Sequence, residues 1–154
     1  MLNMIFSEAK ETAGDMPSLN HSYICTQIIG QLLQQPDFFP LTELTLNIDN
    51  GLTPDISVYP SEKINPDFFN DISRYDELPV MAVEVVSSTQ NIQTVLQKAK
   101  RLAESGVRYV LTLEPYTRTV FITRKDKENE LVHNQPVEFE GISVDFKKIF
   151  EKRT

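Results

Sequence analysis

Residues 78–89 read LPVMAVEVVSST, a run of small and β-branched side chains interrupted by one carboxylate, Glu84. Val80, Met81, Ala82, Val83, Val85 and Val86 suit a strand covered on both faces, and an unpartnered carboxylate inside such a strand is costly. Glu84 is therefore expected to be paired, protonated or bound to a metal ion. Alternation along a strand puts Ala82, Glu84 and Val86 on one face.

The segments around this strand fall into order on either side. Downstream, Ser87, Ser88 and Thr89 are capping candidates for a helix from about Gln90 to Ser105. Ile92, Val95, Leu96, Ala99, Leu102 and Ala103 form its apolar stripe, and Gly106 is its stop. Upstream, residues 60–77 are polar, carry a Phe68-Phe69 pair and form the longest irregular connection. Before them, Pro54 to Tyr59 reads as a strand opened by Asp55, preceded by an Asp49-Asn50-Gly51 turn and by a half-buried strand of alternating Leu44, Leu46 and Ile48.

Further toward the N-terminus, Ser18 to Gln35 has helical spacing, with Ile24, Ile28 and Leu32 four apart and Cys25, Ile29 and Leu33 beside them. Pro36 and Pro40 bracket its exit. Residues 3–12 fit either a short strand or a helical turn, and Ala13 to Pro17 read as a loop. Beyond the Glu84 helix, Val107 to Leu113 and Thr117 to Arg124 form a hairpin, residues 131–144 supply one or two short strands, and Asp145 to Lys152 form a closing helix. The expected class is α/β, a mixed sheet flanked by helices.

With 154 residues the chain has the size of one compact domain, 1–154, able to bury roughly two thirds of the surface its unfolded form exposes. No window approaches the roughly 18 apolar residues of a membrane span. The N-terminus lacks the pattern of a secretory signal, and the sole cysteine, Cys25, has no internal partner, so a cytoplasmic protein with no membrane contact is expected. A net charge of −7 argues against non-specific coating of nucleic acid and leaves room for a nuclease, whose acidic site would hold a cation while basic residues cluster locally. The local candidates are Lys98, Lys100, Arg101 and Arg108, and in the tail Lys147, Lys148, Lys152 and Arg153.

Asp55 and Glu84 at neighbouring strand ends, with the Val85 carbonyl and water, would suit Mg²⁺, a hard cation that prefers oxygen ligands. Such an ion activates water against a phosphodiester, and a nearby lysine would steady the developing charge. Pro54-Asp55 followed by a strand ending Glu84-Val85-Val86 resembles the PD-(D/E)XK nuclease superfamily, and more closely the Uma-two family of restriction-endonuclease-like proteins. The likeness includes Asn20-His21 at a helix start, PDISV at 54–58, VEVVSST at 83–89, Ser105-Gly106-Val107, and FEGISVDFKKIF at 139–150.

The resemblance implies a restriction-endonuclease-like fold and Mg²⁺-dependent hydrolysis of DNA, with Mn²⁺ as a substitute ion. Val86 stands where the superfamily has its lysine, and alignment back from Gly106-Val107 gives that role to Lys98 on the following helix. Asp55 and Glu84 then resemble the metal ligands. Thr94 and Leu102 depart from the family's usual acidic residue and tyrosine. His21 is a minor candidate, its ordinary role being capping or packing, and Cys25 reads as core.

Three functions follow. One is a metal-dependent endodeoxyribonuclease, with a homodimer joined through the Phe68-Phe69 loop as one arrangement. A second is an inactive binding or assembly module that keeps the fold, in which a Glu84–Lys98 or Glu84–Arg101 ion pair is structural. The third is a small-molecule hydrolase on the same metal site, disfavoured by the lack of a Gly-rich phosphate loop.

Overall fold

The computed structural model describes residues 18–151. Helix α1 spans Leu19–Leu33, and Ser18 caps it by accepting a hydrogen bond from the His21 N–H, one of the donors a helix start leaves free. Ile24, Ile28 and Leu32 are buried, whereas Leu33 on the stripe's margin is 55% exposed. The readings for residues 3–12 and 13–17 lie outside the described residues.

Six strands form one sheet in sequence order: β1 Phe38–Thr42, β2 Ile56–Pro60, β3 Met81–Val85, β4 Tyr109–Glu114, β5 Thr119–Thr123 and β6 Glu130–His133. Every neighbouring pair is antiparallel except β3 and β4, which run parallel because helix α2, Ile92–Ser105, carries the chain back between them. All five residues of β3 are buried, as its unbroken apolar run requires. The sheet is thus mixed and flanked by helices, the expected class.

The two faces of the sheet differ in chemistry. On the α1 face, Ile56, Val58, Met81, Val83, Val85, Leu111, Leu113, Val120 and Ile122 join Ile24, Ile28 and Leu32 in one apolar cluster. On the α2 face the apolar cluster is smaller, with Ala82 and Val110 meeting Ala99, Leu102, Ala103 and Val107. Period-two alternation places Ser57, Glu84 and Thr112 on this second face, and register sets Ser57 beside Ala82 and Glu84 beside Thr112. Small and polar side chains therefore line the sheet where α2 covers it.

A separate hairpin, β7 Pro136–Phe139 and β8 Ile142–Asp145, leads into the single-turn helix α3, Phe146–Ile149. Helix α1 covers the edge of β8 with two glutamines one turn apart. Gln31 donates to the Asp145 carbonyl and accepts from its N–H, and Gln35 does the same at Ser143. The two amides thus satisfy backbone groups that would otherwise be left bare at that edge.

Several local expectations change. The strand expected at Leu44–Ile48 lies instead at Phe38–Thr42, while Leu46 only bridges Leu52 and Tyr75. Pro40 made that segment look like a break; at the edge of a sheet a residue with no N–H is tolerated. Asn91, whose side chain accepts from Gln93 N–H, caps α2 in place of Ser87 to Thr89. Residues 130–145 hold three strands, and the closing helix is one turn capped by Asp145. Gly106 ends α2 at φ 121°, and a Cβ there would come within 3.0 Å of Leu78 Cδ1, so glycine is required.

The first prediction concerns α1. Ile28→Ala, in a fully buried position, should lower unfolding free energy by about 2–5 kcal/mol in urea. Leu33→Ala should change it by no more than about 0.5 kcal/mol, and equal losses from the two would contradict the assigned helix face.

Candidate functional site

The site begins with register. β2 and β3 pair Ile56 with Val83, so continuing the antiparallel ladder one step sets Asp55 across from Glu84. Asp55 has already left β2, and its side chain takes up the ladder: Oδ2 accepts the Val85 N–H at 2.8 Å. The same oxygen lies 3.1 Å from His21 Nε2, reached from the first turn of α1. A strand end and a helix start are thereby tied to one carboxylate.

Lys98 arrives from the opposite side. Val95, Ala99, Leu102 and Ala103 form the buried stripe of α2, and Lys98, three residues after Val95, sits on its flank, half-buried. Its Nζ is 2.7 Å from Glu84 Oε1 and donates at 2.7 Å to the Thr53 carbonyl. The contact with Glu84 is a close charge pair, whose attraction does not require angular alignment.

The electrostatics follow from burial and neighbours. Glu84 is 4% exposed. Desolvation raises its pKa from 4.5 to about 7, Lys98 opposes the rise, and the nearby Asp55 adds to it. His21 is pushed up from 6.5 to about 10, chiefly by its hydrogen bond to Asp55. At neutral pH the imidazole is therefore charged, and each carboxylate has a cation of its own.

The structure brings Asp55, Glu84 and Lys98 together, as their order in the sequence led us to expect. It leaves Val86 apart from that role: one residue beyond β3, Val86 lines a cavity of about 740 Å³ with Tyr23, Ile24, Pro115 and Arg118. Thr94 is exposed and Leu102 fully buried. The basic residues close in sequence here are dispersed in space: Lys98 turns inward, while Arg101 and Arg108 pair with Asp49 and Glu140. Phe68 and Phe69 project into solvent at 93% and 97% exposure.

Two contributors were undervalued in the sequence. His21 is a direct partner of Asp55, and Cys25, read as core, is half-buried with Sγ 4.0 Å from each ring nitrogen of His21. Their spacing of four on a helix was the available signal, because such residues share a face.

The residues present suit a hard divalent cation. Two carboxylates converge, and the like charge of Asp55 contributes to the high pKa of Glu84. A divalent ion between them would relieve that repulsion.

Residues 12–150 match the Uma2 family model, described as "Putative restriction endonuclease". A crystal structure described as "a putative nuclease belonging to DUF820", from Anabaena variabilis, matches at TM-score 0.73 and 21% identity over 94% of each chain. That likeness establishes a shared fold. No curated protein matches the chain, and no helix among the described residues is long and apolar enough to cross a membrane.

The raised pKa of Glu84 has a stability consequence with a definite sign. The folded state holds this proton more tightly than the unfolded one, so the contribution is full below about pH 4.5 and is lost as pH rises through about 7. With divalent ions chelated, wild type should lose about 2–3 kcal/mol relative to Glu84→Gln between pH 4.5 and 8, measured by urea unfolding. Parallel pH profiles would mean an ordinary Glu84 carboxylate.

Proposed function

The chain belongs to the Uma2 family, and on that premise we propose that it is a Mg²⁺-dependent endodeoxyribonuclease in which Asp55 and Glu84 hold the ion and Lys98 acts on the scissile phosphate. The observation that carries this reading is Lys98. The lysine missing from the Glu84 strand, where Val86 stands, is replaced in space by an ammonium 2.7 Å from Glu84 Oε1, delivered by the next helix. Mn²⁺ has the same preference for hard oxygen ligands and would substitute.

Bound at these carboxylates, Mg²⁺ would supply a water of lowered pKa and positive charge at the phosphate. The chain's own residues do the remaining work. Asp55 is oriented by the Val85 N–H and by His21, so its carboxylate is held in place before any ligand arrives. Lys98 spends one donor on the Thr53 carbonyl, which anchors the ammonium at the sheet end. Its remaining N–H groups serve the non-bridging phosphate oxygens or the attacking hydroxide, where negative charge grows during hydrolysis. The 740 Å³ cavity beside Val86, with Arg118 in its wall, gives a charged recess next to this end of the sheet.

One observation favours a second reading. Lys98, Glu84 and the Thr53 carbonyl also make a self-sufficient buried ion pair, which a non-catalytic module could retain for structure alone. Two measurements separate the readings. Calorimetry should show Mg²⁺ binding to wild type and its loss in Glu84→Ala, with wild-type affinity rising as pH increases toward about 7 because proton and ion compete for Glu84. Equal binding by both proteins would refute the site. In plasmid cleavage with Mg²⁺, Lys98→Ala should lower the rate by about 10²–10³-fold, the scale of losing one charge-stabilising group. A folded wild type that binds Mg²⁺ and leaves DNA intact would instead identify the inactive module.

A further inference from the structure

We infer that His21 Nε2, Cys25 Sγ and a carboxylate oxygen of Asp55 form a second cation site, one that selects a divalent ion of the zinc class. These three ligand atoms all lie within 4.8 Å of one another. The nitrogen is 3.1 Å from Asp55 Oδ2 and 4.0 Å from the sulfur. Tetrahedral zinc, with bonds of about 2.0–2.3 Å, holds its ligand atoms roughly 3.3–3.8 Å apart. The two separations from the imidazole nitrogen are within about half an ångström of that spacing, and the Asp55 oxygen and the sulfur, within 4.8 Å of each other, close on a shared ion by side-chain rotation.

The scaffold and the chemistry agree with this assignment. His21 and Cys25 stand one turn apart on α1, a spacing that presents two ligands from one helix face, while Asp55 comes from the start of β2. Three protein ligands leave a fourth position for water. It opens into a cavity of about 410 Å³ lined by all three residues together with Ser87 and Gln90, which supplies the entry path. Thiolate and imidazole favour Zn²⁺ or Co²⁺ over Mg²⁺, whereas the Asp55–Glu84 pair offers oxygen alone. Cys25 packs against the apolar cluster under α1 while its sulfur stays 4.0 Å from the imidazole that pairs with Asp55.

This inference does not rest on the nuclease reading, although the two sites share Asp55, and the test keeps them apart. Cys25 is the sole cysteine, so a thiolate-to-cobalt charge-transfer band in the near ultraviolet reports on that residue alone. Titrating the full chain with Co²⁺ should produce the band, saturating at one thiolate-bound ion per chain and reversed by Zn²⁺. Cys25→Ser should abolish it, and His21→Gln should weaken Co²⁺ binding by about 10–100-fold. Glu84→Gln should leave the band unchanged while removing Mg²⁺ binding. No band in wild type, or a band lost in Glu84→Gln, would overturn the second site; Mg²⁺ binding retained in Glu84→Gln would count only against the nuclease assignment.

Discussion

The close approach of Lys98 to Glu84 constrains everything around it. A carboxylate at 4% exposure in the central strand is tolerable only with a cation at hand, and β3 itself offers none. The cation must come from the element that covers this face, which fixes how α2 lies across the sheet. Its buried stripe of Val95, Ala99, Leu102 and Ala103 sets the helix down on Ala82 and Val110, and the same rotation turns Lys98 toward Glu84. Packing and electrostatics thus demand the same helix orientation.

The other half of the site is organised by Asp55 Oδ2. By accepting from Val85 and meeting His21, this one oxygen joins β3 to the first turn of α1. The helices on opposite faces of the sheet each deliver a cation to the same sheet end, one per carboxylate. Such an arrangement balances charge at the sheet end without an ion, although burial works against the charged form of Glu84. A structural ion pair and a metal-binding centre therefore differ here less in geometry than in what enters the cavity.

How much of this was visible beforehand varied by element. Helices α1 and α2 were legible because their buried residues recur at three and four positions, and β3 because its apolar run is unbroken. The first strand was misplaced: Pro40 in Phe38–Thr42 suggested a break, while the alternation of Leu44, Leu46 and Ile48 imitated a strand in what is a turn-flanking segment. Local pattern cannot tell whether a proline sits on a sheet edge, where its missing N–H is harmless. The expected proximity of Asp55, Glu84 and Lys98 is present, while the contacts of His21 with Asp55 and Cys25 were not foreseen.

The sequence by itself determined helices α1 and α2 and the buried strand β3, since period-3.6 patterns and unbroken apolar runs are local properties of the chain. It also determined that Glu84 must be paired, protonated or metal-bound, because an isolated charged carboxylate in an apolar strand is unfavourable. Only the tertiary structure decided which groups answer that need. Asp55 meets His21 across thirty-four positions of chain, and Lys98 meets the Thr53 carbonyl across forty-five. Such meetings depend on strand register and on how two helices settle on opposite faces of a sheet, and neither is written in any local stretch of residues.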